Sequence, residues 1–491
     1  MGVGCPNGES THDSFAIHPL KSLKATQMTP ETPIPRSTRR SFIGTGSTAA
    51  VAAPALGSLL TGTAAANAHA AGGDSLQVAL IGCGGRGGGA AANALAVVES
   101  PLKLVALADV VQGRAEIVRR NLGAKHPDRV DVPDERMFIG FEAYKDAIDA
   151  LRPGDIAIFA TPPAFRAPHF EYAINRGLHV FMEKPVAVDG ASARRIIDLA
   201  AQADEKRLKV GVGLMCRHCP RRRELFDRLQ AGEAGDLIAF RAYREHNPVH
   251  NLDLFPGVPK DSTELLWQVK RFHNFLWASG GIFSDYYIHN IDEVCWMKDD
   301  WPVTAIATGG RHFRGKIDDQ NFDSYAVEFT FGDGVKFFFA GRAMKDCQQQ
   351  FGGFGQGSKG AFTISARGHF PSRATIYKSQ RMDKDAIAWT AEQPEPNPYQ
   401  EEWNHLVSAI LSDQPYNEAV RGAKASLVTA MGRFAAHTGR LVTSDEMLQM
   451  PVDIAAAAGE IKDGSPAPLL ADAEGRYPVP MPGRYKFEYH D

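Results

Sequence analysis

Six cysteines in 491 residues are too few to staple a chain of this size, so a disulfide framework is excluded as the source of its stability. The one suggestive spacing, CRHC at 216–219, stands alone. A zinc site needs a second pair of ligands at matching distance and none follows, so no metal is expected. Charge of either sign is also lacking in excess: the formal net charge is −3, which points away from nucleic acid or any other polyanion as a partner. Long apolar runs are missing too. The weakly apolar stretch ending near Thr63 is mostly Ala, Gly and Thr, with too little Leu, Ile or Val to hold a 20-residue helix in lipid. There is no internal repeat. What is present is 44% hydrophobic residues, enough for two or three domains, each with a sizeable core.

The first seventy residues differ from the rest. Thr38, Arg39, Arg40, Ser41, Phe42 and Ile43 precede the weakly apolar run, and AAANAHA then offers small-x-small cleavage sites near Ala68 or Ala70. Residues 1–70 resemble a twin-arginine leader, with Gly44 where lysine is usual. The resemblance implies export of an already folded protein to the periplasm or another extracytoplasmic space, with no membrane span once the leader is gone. Any cofactor would be taken up in the cytoplasm and would have to stay bound.

From Ser75 the pattern is strand, loop, helix, strand. LQVALIGCG is an apolar run that breaks into glycines, AAANALAVVE follows at helical period, and LKLVALADV is a second apolar run holding an acid near its end. Gly82, Gly84 and Gly87 fit G-x-G-x-x-G in its proper context. The first allows the tight turn, the second lets backbone approach a pyrophosphate, and the third lets helix and strand pack closely. Asp109 is placed to accept hydrogen bonds from the adenosine ribose and to repel a 2′-phosphate, favouring NAD over NADP, with Arg114 nearby to soften the choice. The same position also suits an Asp capping the helix that starts near Gln112.

DIAIFATPP at 155–163 and LHVFMEKP at 178–185 are two more buried strands with a helical segment between them. The alternation predicts an N-terminal, doubly wound parallel sheet over 74–205, with ligand chemistry at the carboxyl ends of its strands. Those ends hold the glycines, Asp109, Thr161 and Glu183-Lys184-Pro185. Proline fixes its own backbone and restricts the lysine before it, so Lys184 is held rigidly where its ammonium can steady a developing alkoxide. A cis peptide at this bond is one option.

The glycine loop, the ATP residues, EKP and the strand VGVGLMCRH together resemble the glucose-fructose oxidoreductase, inositol dehydrogenase and MocA family (Gfo/Idh/MocA), over about residues 75–450. The resemblance implies NAD held by Gly82, Gly84, Arg86, Gly87, Asp109, Thr161, Pro162, Glu183 and Lys184. It also implies a small carbohydrate or polyol substrate, with Arg217 and Tyr286 as substrate contacts, and a homo-oligomer.

In SGGIFSDYYIHNIDEVCW at 279–296, Asp285 and His289 are neighbours on one helical face. Spacing alone gives an ordinary helical pair. The family pattern of Asp-x-x-x-His makes the histidine the proton acceptor and the aspartate a substrate holder, giving Lys184, Asp285 and His289 as the catalytic set. An imidazole suits the task, because hydride removal from a secondary alcohol needs its hydroxyl proton to leave as well. Tyr286 and Tyr287 replace the smaller residues usual in the family, and either narrow the site or stack on a sugar ring.

Residues 237–280 read as a long irregular region, with Arg244, His246, His250, Trp267, Arg271, His273 and Trp277 divided between substrate contacts and loop packing. TAIATGGRHF, SYAVEFTFGDGVKFFFAGR, GAFTISARG and RATIYKS predict a large open, mostly antiparallel sheet in an α+β domain over 206–462, including an FGDGV hairpin. A helical stretch follows from Tyr399 to about Arg440, and 463–491 is a tail that wraps an edge or a neighbouring subunit. The function expected is an exported NAD-dependent oxidoreductase acting on a sugar or cyclic polyol and returning its hydride within one cycle. The alternatives are glycoside cleavage through a keto sugar, an ordinary NADH-releasing dehydrogenase, and a carbohydrate binder without turnover.

Overall fold

The computed structural model describes residues 75–249, 257–316 and 319–484; the leader expected at 1–70 and His250 lie outside them. The first half alternates strand and helix: β1 (Gln77–Ile81), α1 (Gly85–Leu95), β2 (Lys103–Asp109), α2 (Gln112–Lys125), β3 (Met137–Ile139), α3 (Ala143–Asp149), β4 (Ile156–Phe159), α4 (Arg166–Asn175), β5 (His179–Met182), α5 (Gly190–Glu205) and β6 (Val210–Val212). All six strands are parallel, in the order β3-β2-β1-β4-β5-β6. The central strands read VALI, LVALA, IAIF and HVFM and are buried throughout, as a sheet covered on both faces requires. The order reverses between β1 and β4, which opens a crevice at their carboxyl ends.

The sixth strand lies beyond residue 205, where the sequence placed the domain boundary. Its neighbour is also unexpected. The helical stretch from Tyr399 breaks into α10 (Pro398–Leu411) and α11 (Ala419–Thr438), with Asp413 at φ 49° in the break. The intervening chain bonds to β6: Val210 donates its N–H to the Tyr416 carbonyl at 2.8 Å, and the Glu418 N–H reaches the Val210 carbonyl at 2.9 Å. From α10, Trp403 stacks on Phe181 of β5 at 4.5 Å, completing the core of the first sheet from far along the chain.

The second half comprises α6 (Pro220–Gln230), β7 (Leu237–His246), α7 (Glu264–Lys270), α8 (Leu276–Ser279), α9 (Gly281–Lys298), β8 (Thr304–Gly310), β9 (Ser324–Thr330), β10 (Lys336–Ala343), β11 (Gln350–Gly357), β12 (Ala361–Ala366), β13 (Thr375–Tyr377), β14 (Ile387–Thr390), β15 (Val442–Thr443) and α12 (Ser444–Gln449). Nine strands form one sheet in the order β14-β13-β12-β11-β7-β10-β9-β8-β15. Only β7 and β10 run parallel, so the sheet is mostly antiparallel as expected. The FGDGV hairpin closes with the Phe331 N–H on the Val335 carbonyl at 2.9 Å. The start of the region read as irregular is a regular strand, because Leu237–His246 is β7 at the centre of the sheet. One hydrophobic cluster runs from Phe159 and Met182 through Phe283 of α9 and Met431 of α11 to Phe329 and Phe339.

The tail crosses α7. Gln268 donates to the Leu469 carbonyl at 2.6 Å, the Tyr477 hydroxyl donates to Glu264 at 2.8 Å, and the Tyr477 ring lies 4.9 Å from that of Phe275. Earlier in the tail, the Phe141 N–H points at Asp463 Oδ1 at 3.4 Å, which connects the tail to the loop after β3.

Candidate active site

A cavity of about 780 Å³ opens at the carboxyl ends of β1, β2, β4 and β5, with α7 and the turn Phe272–Asn274 along its other side. The glycine loop forms one wall. Gly82 has φ 96°, and a Cβ there would stand 2.6 Å from the Ala160 carbonyl carbon. A Cβ on Gly87 would stand 1.9 Å from the Gly82 oxygen, so only glycine permits this approach of α1 to β1. Gly84 and Gly85 have nothing within 4 Å of the corresponding position and face the cavity. α1 starts there with no side-chain cap, leaving its first N–H groups for an anion. This cradle fits a dinucleotide pyrophosphate.

Asp109 does not cap α2. Its carboxylate accepts from the Cys83 N–H at 2.7 Å and the Val111 N–H at 2.8 Å, holding the glycine loop against the end of β2. Burial raises its pKa above the ordinary aspartate value, opposed by those N–H groups and by Arg114. Arg86, next in the loop, turns to Glu183, with Nε 2.6 Å from Oε1, and its guanidinium lies 4.8 Å above the Tyr399 ring. Thr161 and Pro162 line the cavity as expected. Arg166 joins the two strand ends: Nη1 donates to Thr161 Oγ1 at 2.9 Å and Nε to the Glu183 carbonyl at 3.0 Å. Burial brings its pKa down to about 10, but it remains a cation.

At the other end, the Lys184–Pro185 peptide is cis, and Lys184 Nζ donates to the main-chain oxygen of Asp285 at 2.6 Å while lying 3.5 Å from Asp285 Oδ1. The second carboxylate oxygen of Asp285 faces His273 Nδ1 at 2.9 Å. Burial opposes ionisation of Asp285, but Lys184 and His273 outweigh it and hold the carboxyl well below its usual range. Lys184, Asp285, His273 and Tyr286 all line the cavity.

His289 is not among the lining residues. It sits one turn beyond Asp285 on α9 with its ring 4.7 Å from that of His369, and its buried Nδ1 has no hydrogen-bond partner among the described residues. Burial depresses its pKa well below the ordinary histidine value, and His369, Lys184, Arg244 and Arg86 add to the effect. Tyr287 likewise turns away, its ring lying against Gly341, where a Cβ would be 2.4 Å from it. Arg217, expected at the substrate, is outside the cavity wall. Its Nε and Nη2 are held by Asp292 through bonds of 2.8–3.1 Å, and the guanidinium lies over the Trp296 and Trp301 rings.

Cys216 of CRHC meets Glu293 and His369, their ligand-type atoms lying within 4.8 Å of one another. Proton positions decide what this cluster is. Arg244 Nη1 is 3.2 Å from His369 Nε2, and because arginine only donates, that nitrogen accepts. The imidazole hydrogen is then on Nδ1, facing Glu293 Oε1 at 3.5 Å, and a protonated nitrogen cannot ligate a metal. Glu293 is also paired with the buried Arg222 at 3.0 Å. Burial opposes its ionisation, but Arg222 and His369 bring its pKa down to about 2. The cluster is thus an ion-pair network behind His289. Cys219 instead caps the first turn of α6.

Sequence reasoning missed Arg166 as a brace and left His273 among loop residues. Arg166 carries one signal, a basic residue five positions beyond the strand-end threonine. His273 carries none, since its approach to Asp285 depends on tertiary folding.

Residues 76–212 match the family described as "Oxidoreductase family, NAD-binding Rossmann fold" (Gfo/Idh/MocA). The chain is 25% identical over 266 residues to an inositol 2-dehydrogenase of Rubrobacter xylanophilus, a match covering 53% of this chain and 64% of that enzyme's length. In fold it is similar to the aldose-aldose oxidoreductase of Caulobacter crescentus, with a TM-score of 0.56 and 18% identity over 75% of this chain and all of the other. It is also similar to the scyllo-inositol dehydrogenase of Lactobacillus casei with NAD(H) and scyllo-inositol bound, with a TM-score of 0.54 and 19% identity over 76% of this chain and all of the other.

Proposed function

We propose that this chain is an NAD-binding oxidoreductase of the Gfo/Idh/MocA kind that its first domain matches, and that it transfers hydride between NAD and a secondary hydroxyl of a sugar or cyclic polyol. The observation that carries this reading is the meeting, in one cavity, of the glycine cradle with the Lys184–Asp285 pair. NAD bound along that cradle supplies the hydride acceptor. Lys184, oriented by the Asp285 main-chain oxygen, keeps further N–H donors for the substrate oxygen and stabilises negative charge developing on it. Asp285 fixes the lysine and the imidazole beside it. Two histidines flank this aspartate, His289 on its helix and His273 across the cavity, and one of them takes the hydroxyl proton. Tyr286 offers a ring face to the substrate. The inositol dehydrogenases among the relatives favour a ring bearing several hydroxyls.

The finer reading is of a cofactor that stays bound and a hydride returned to the same molecule or to a second sugar. Two observations support it. Arg39 and Arg40 read as an export signal to a space without free NAD, and the tail ties α7, one side of the cavity, to the loop after β3. Homo-oligomerisation belongs to the same proposal. Native mass spectrometry of the purified protein tests cofactor retention directly. Incubation with inositols, sugars and glycosides, following product and nicotinamide absorbance together, tests the reaction. Product without net NADH supports hydride return, stoichiometric NADH indicates an ordinary dehydrogenase, and no product from any of them removes the proposal. Export is tested by changing Arg39 and Arg40 together to Lys, which should retain the precursor in the cytoplasm.

A further inference from the structure

We infer that the substrate carries a carboxylate and that Arg244 is the residue that binds it. The assignment rests on the oxidoreductase reading above and narrows its substrate to an acidic sugar or polyol, of the uronate type. Arg244 lies on β7, where Phe240 and Ala242, the alternate residues before it, are buried in the core. It therefore stands on the core side of the sheet, where a charged group needs a partner. Phe351, opposite it on β11, lies under the guanidinium at 4.8 Å, and Nη1 meets His369 Nε2 at 3.2 Å. Neither neighbour is an acid. The Nε atom is buried with no hydrogen-bond partner among the described residues, and burial pulls the pKa of Arg244 below the ordinary arginine value. Three other arginines of the same half of the chain differ: Arg217 holds Asp292 at 2.8 Å, Arg222 holds Glu293 at 3.0 Å, and Arg314 pairs with Asp319. Glu245, next along β7, points to the opposite face, 3.5 Å from Arg342.

Around the reaction centre the other charges cancel, since Lys184 faces Asp285 and Arg86 faces Glu183. Arg244 is the surplus cation. One positive charge suits a carboxylate better than a phosphate dianion, and a guanidinium whose face rests on an aromatic ring presents an edge that matches two carboxylate oxygens. The placement also fits. His289 is one turn, about 5 Å, beyond Asp285, and its ring lies 4.7 Å from that of His369, on which Arg244 rests. The charges of both Lys184 and Arg244 act on His289, which places it between them. His246, two residues along the same face of β7, has its ring 6.0 Å from that of Tyr286 in the cavity wall. A sugar ring with its reacting hydroxyl at Lys184 and its acid group at Arg244 spans this arrangement.

The test uses the NAD-loaded protein and matched probes, D-glucuronate against D-glucose and D-galacturonate against D-galactose, with inorganic phosphate as a dianionic competitor. Calorimetric binding and kcat/KM for hydride transfer are measured for wild type, Arg244→Gln and Arg244→Lys. Wild type should favour the acid of each pair by roughly 10- to 100-fold, and phosphate should not displace it. Arg244→Gln should lose roughly 100-fold toward the uronate and far less toward the neutral sugar, so that the preference collapses. Arg244→Lys should recover part of it, which a purely structural role would not produce. A wild-type preference for the neutral sugars, equal losses on both members of a pair, or displacement of the uronate by phosphate would each overturn this assignment and leave the oxidoreductase reading intact. Uronate binding that depends on Arg244 without any turnover would support the carboxylate site and overturn the oxidoreductase reading. Neither binding nor turnover of any probe would overturn both.

Discussion

Arg86 Nε lies 2.6 Å from Glu183 Oε1, so the loop meant for a pyrophosphate and the strand end carrying Lys184 are joined by a single ion pair. Glu183 is nearly buried and lies beside Glu402, whose own carboxyl is buried without a partner among the described residues and is raised well above the ordinary range by burial and by Glu183. Arg86→Ala therefore removes a cation from the anion site and leaves two carboxyls crowded together. NAD affinity should fall roughly tenfold. Stability should fall by about 2 kcal/mol, below the roughly 3–5 typical of broken buried pairs because Arg86 is more than a third exposed. Calorimetric titration and urea denaturation check both, and unchanged NAD affinity would show that Arg86 does not face the dinucleotide.

Asp109 has two tasks, since its carboxylate anchors the Cys83 and Val111 N–H groups and stands where a ribose would lie. Asp109→Ala should weaken NAD by tenfold or more and narrow the preference over NADP, with Arg114 left as the nearby charge. Titrations with both cofactors decide. An unaltered ratio would leave the carboxylate a purely structural role.

Among the described residues, His169, His289, His369 and His437 have pKa values strongly depressed, with burial the largest cause. Those of His169 and His369 are pushed down to about 3 and about 4. A histidine whose folded pKa is depressed contributes fully above its unfolded pKa of about 6.5 and loses that contribution as pH falls, because the unfolded chain takes up the proton first. Between pH 7 and 5 each should cost about 2 kcal/mol of stability. The expected result is a steep drop in the urea midpoint across that window at constant m-value. A flat profile would mean that these imidazoles have access to protons in the folded state.

Removing the Tyr477 ring takes away its contact with Phe275 and its hydrogen bond to Glu264, both of which fasten α7. Tyr477→Ala should raise the NAD dissociation rate by roughly tenfold or more, read by stopped-flow fluorescence against an excess of competing nucleotide. An unchanged rate would mean that the tail does not control release.

The first sheet was legible because its signals are local: continuous apolar runs, a glycine loop with one spacing, and an acid at a strand end. Lys184 and Asp285 were legible through short motifs. β11 was not, because QFGGFGQG looks like a loop. Two of its glycines lie against aromatic rings, a Cβ on Gly355 falling 2.1 Å from the Phe362 ring and one on Gly352 2.7 Å from that of Phe354, so the missing side chains there are the packing solution. Arg217 was misplaced because nothing near it in sequence announces Asp292, 75 residues on. The same blindness hid the approach of His273 to Asp285, which only tertiary folding brings about.

The placement of Trp403 against Phe181 limits how the chain can be divided. A fragment ending at Val212 would hold all six parallel strands yet expose the ring of Phe181, the flank of α1 and the free edge of β6, which α10 and the segment after it cover. Such a fragment should aggregate or remain partly molten. The intact protein should melt in one calorimetric transition, since the apolar cluster crosses from one sheet to the other without a seam at which half the molecule could let go.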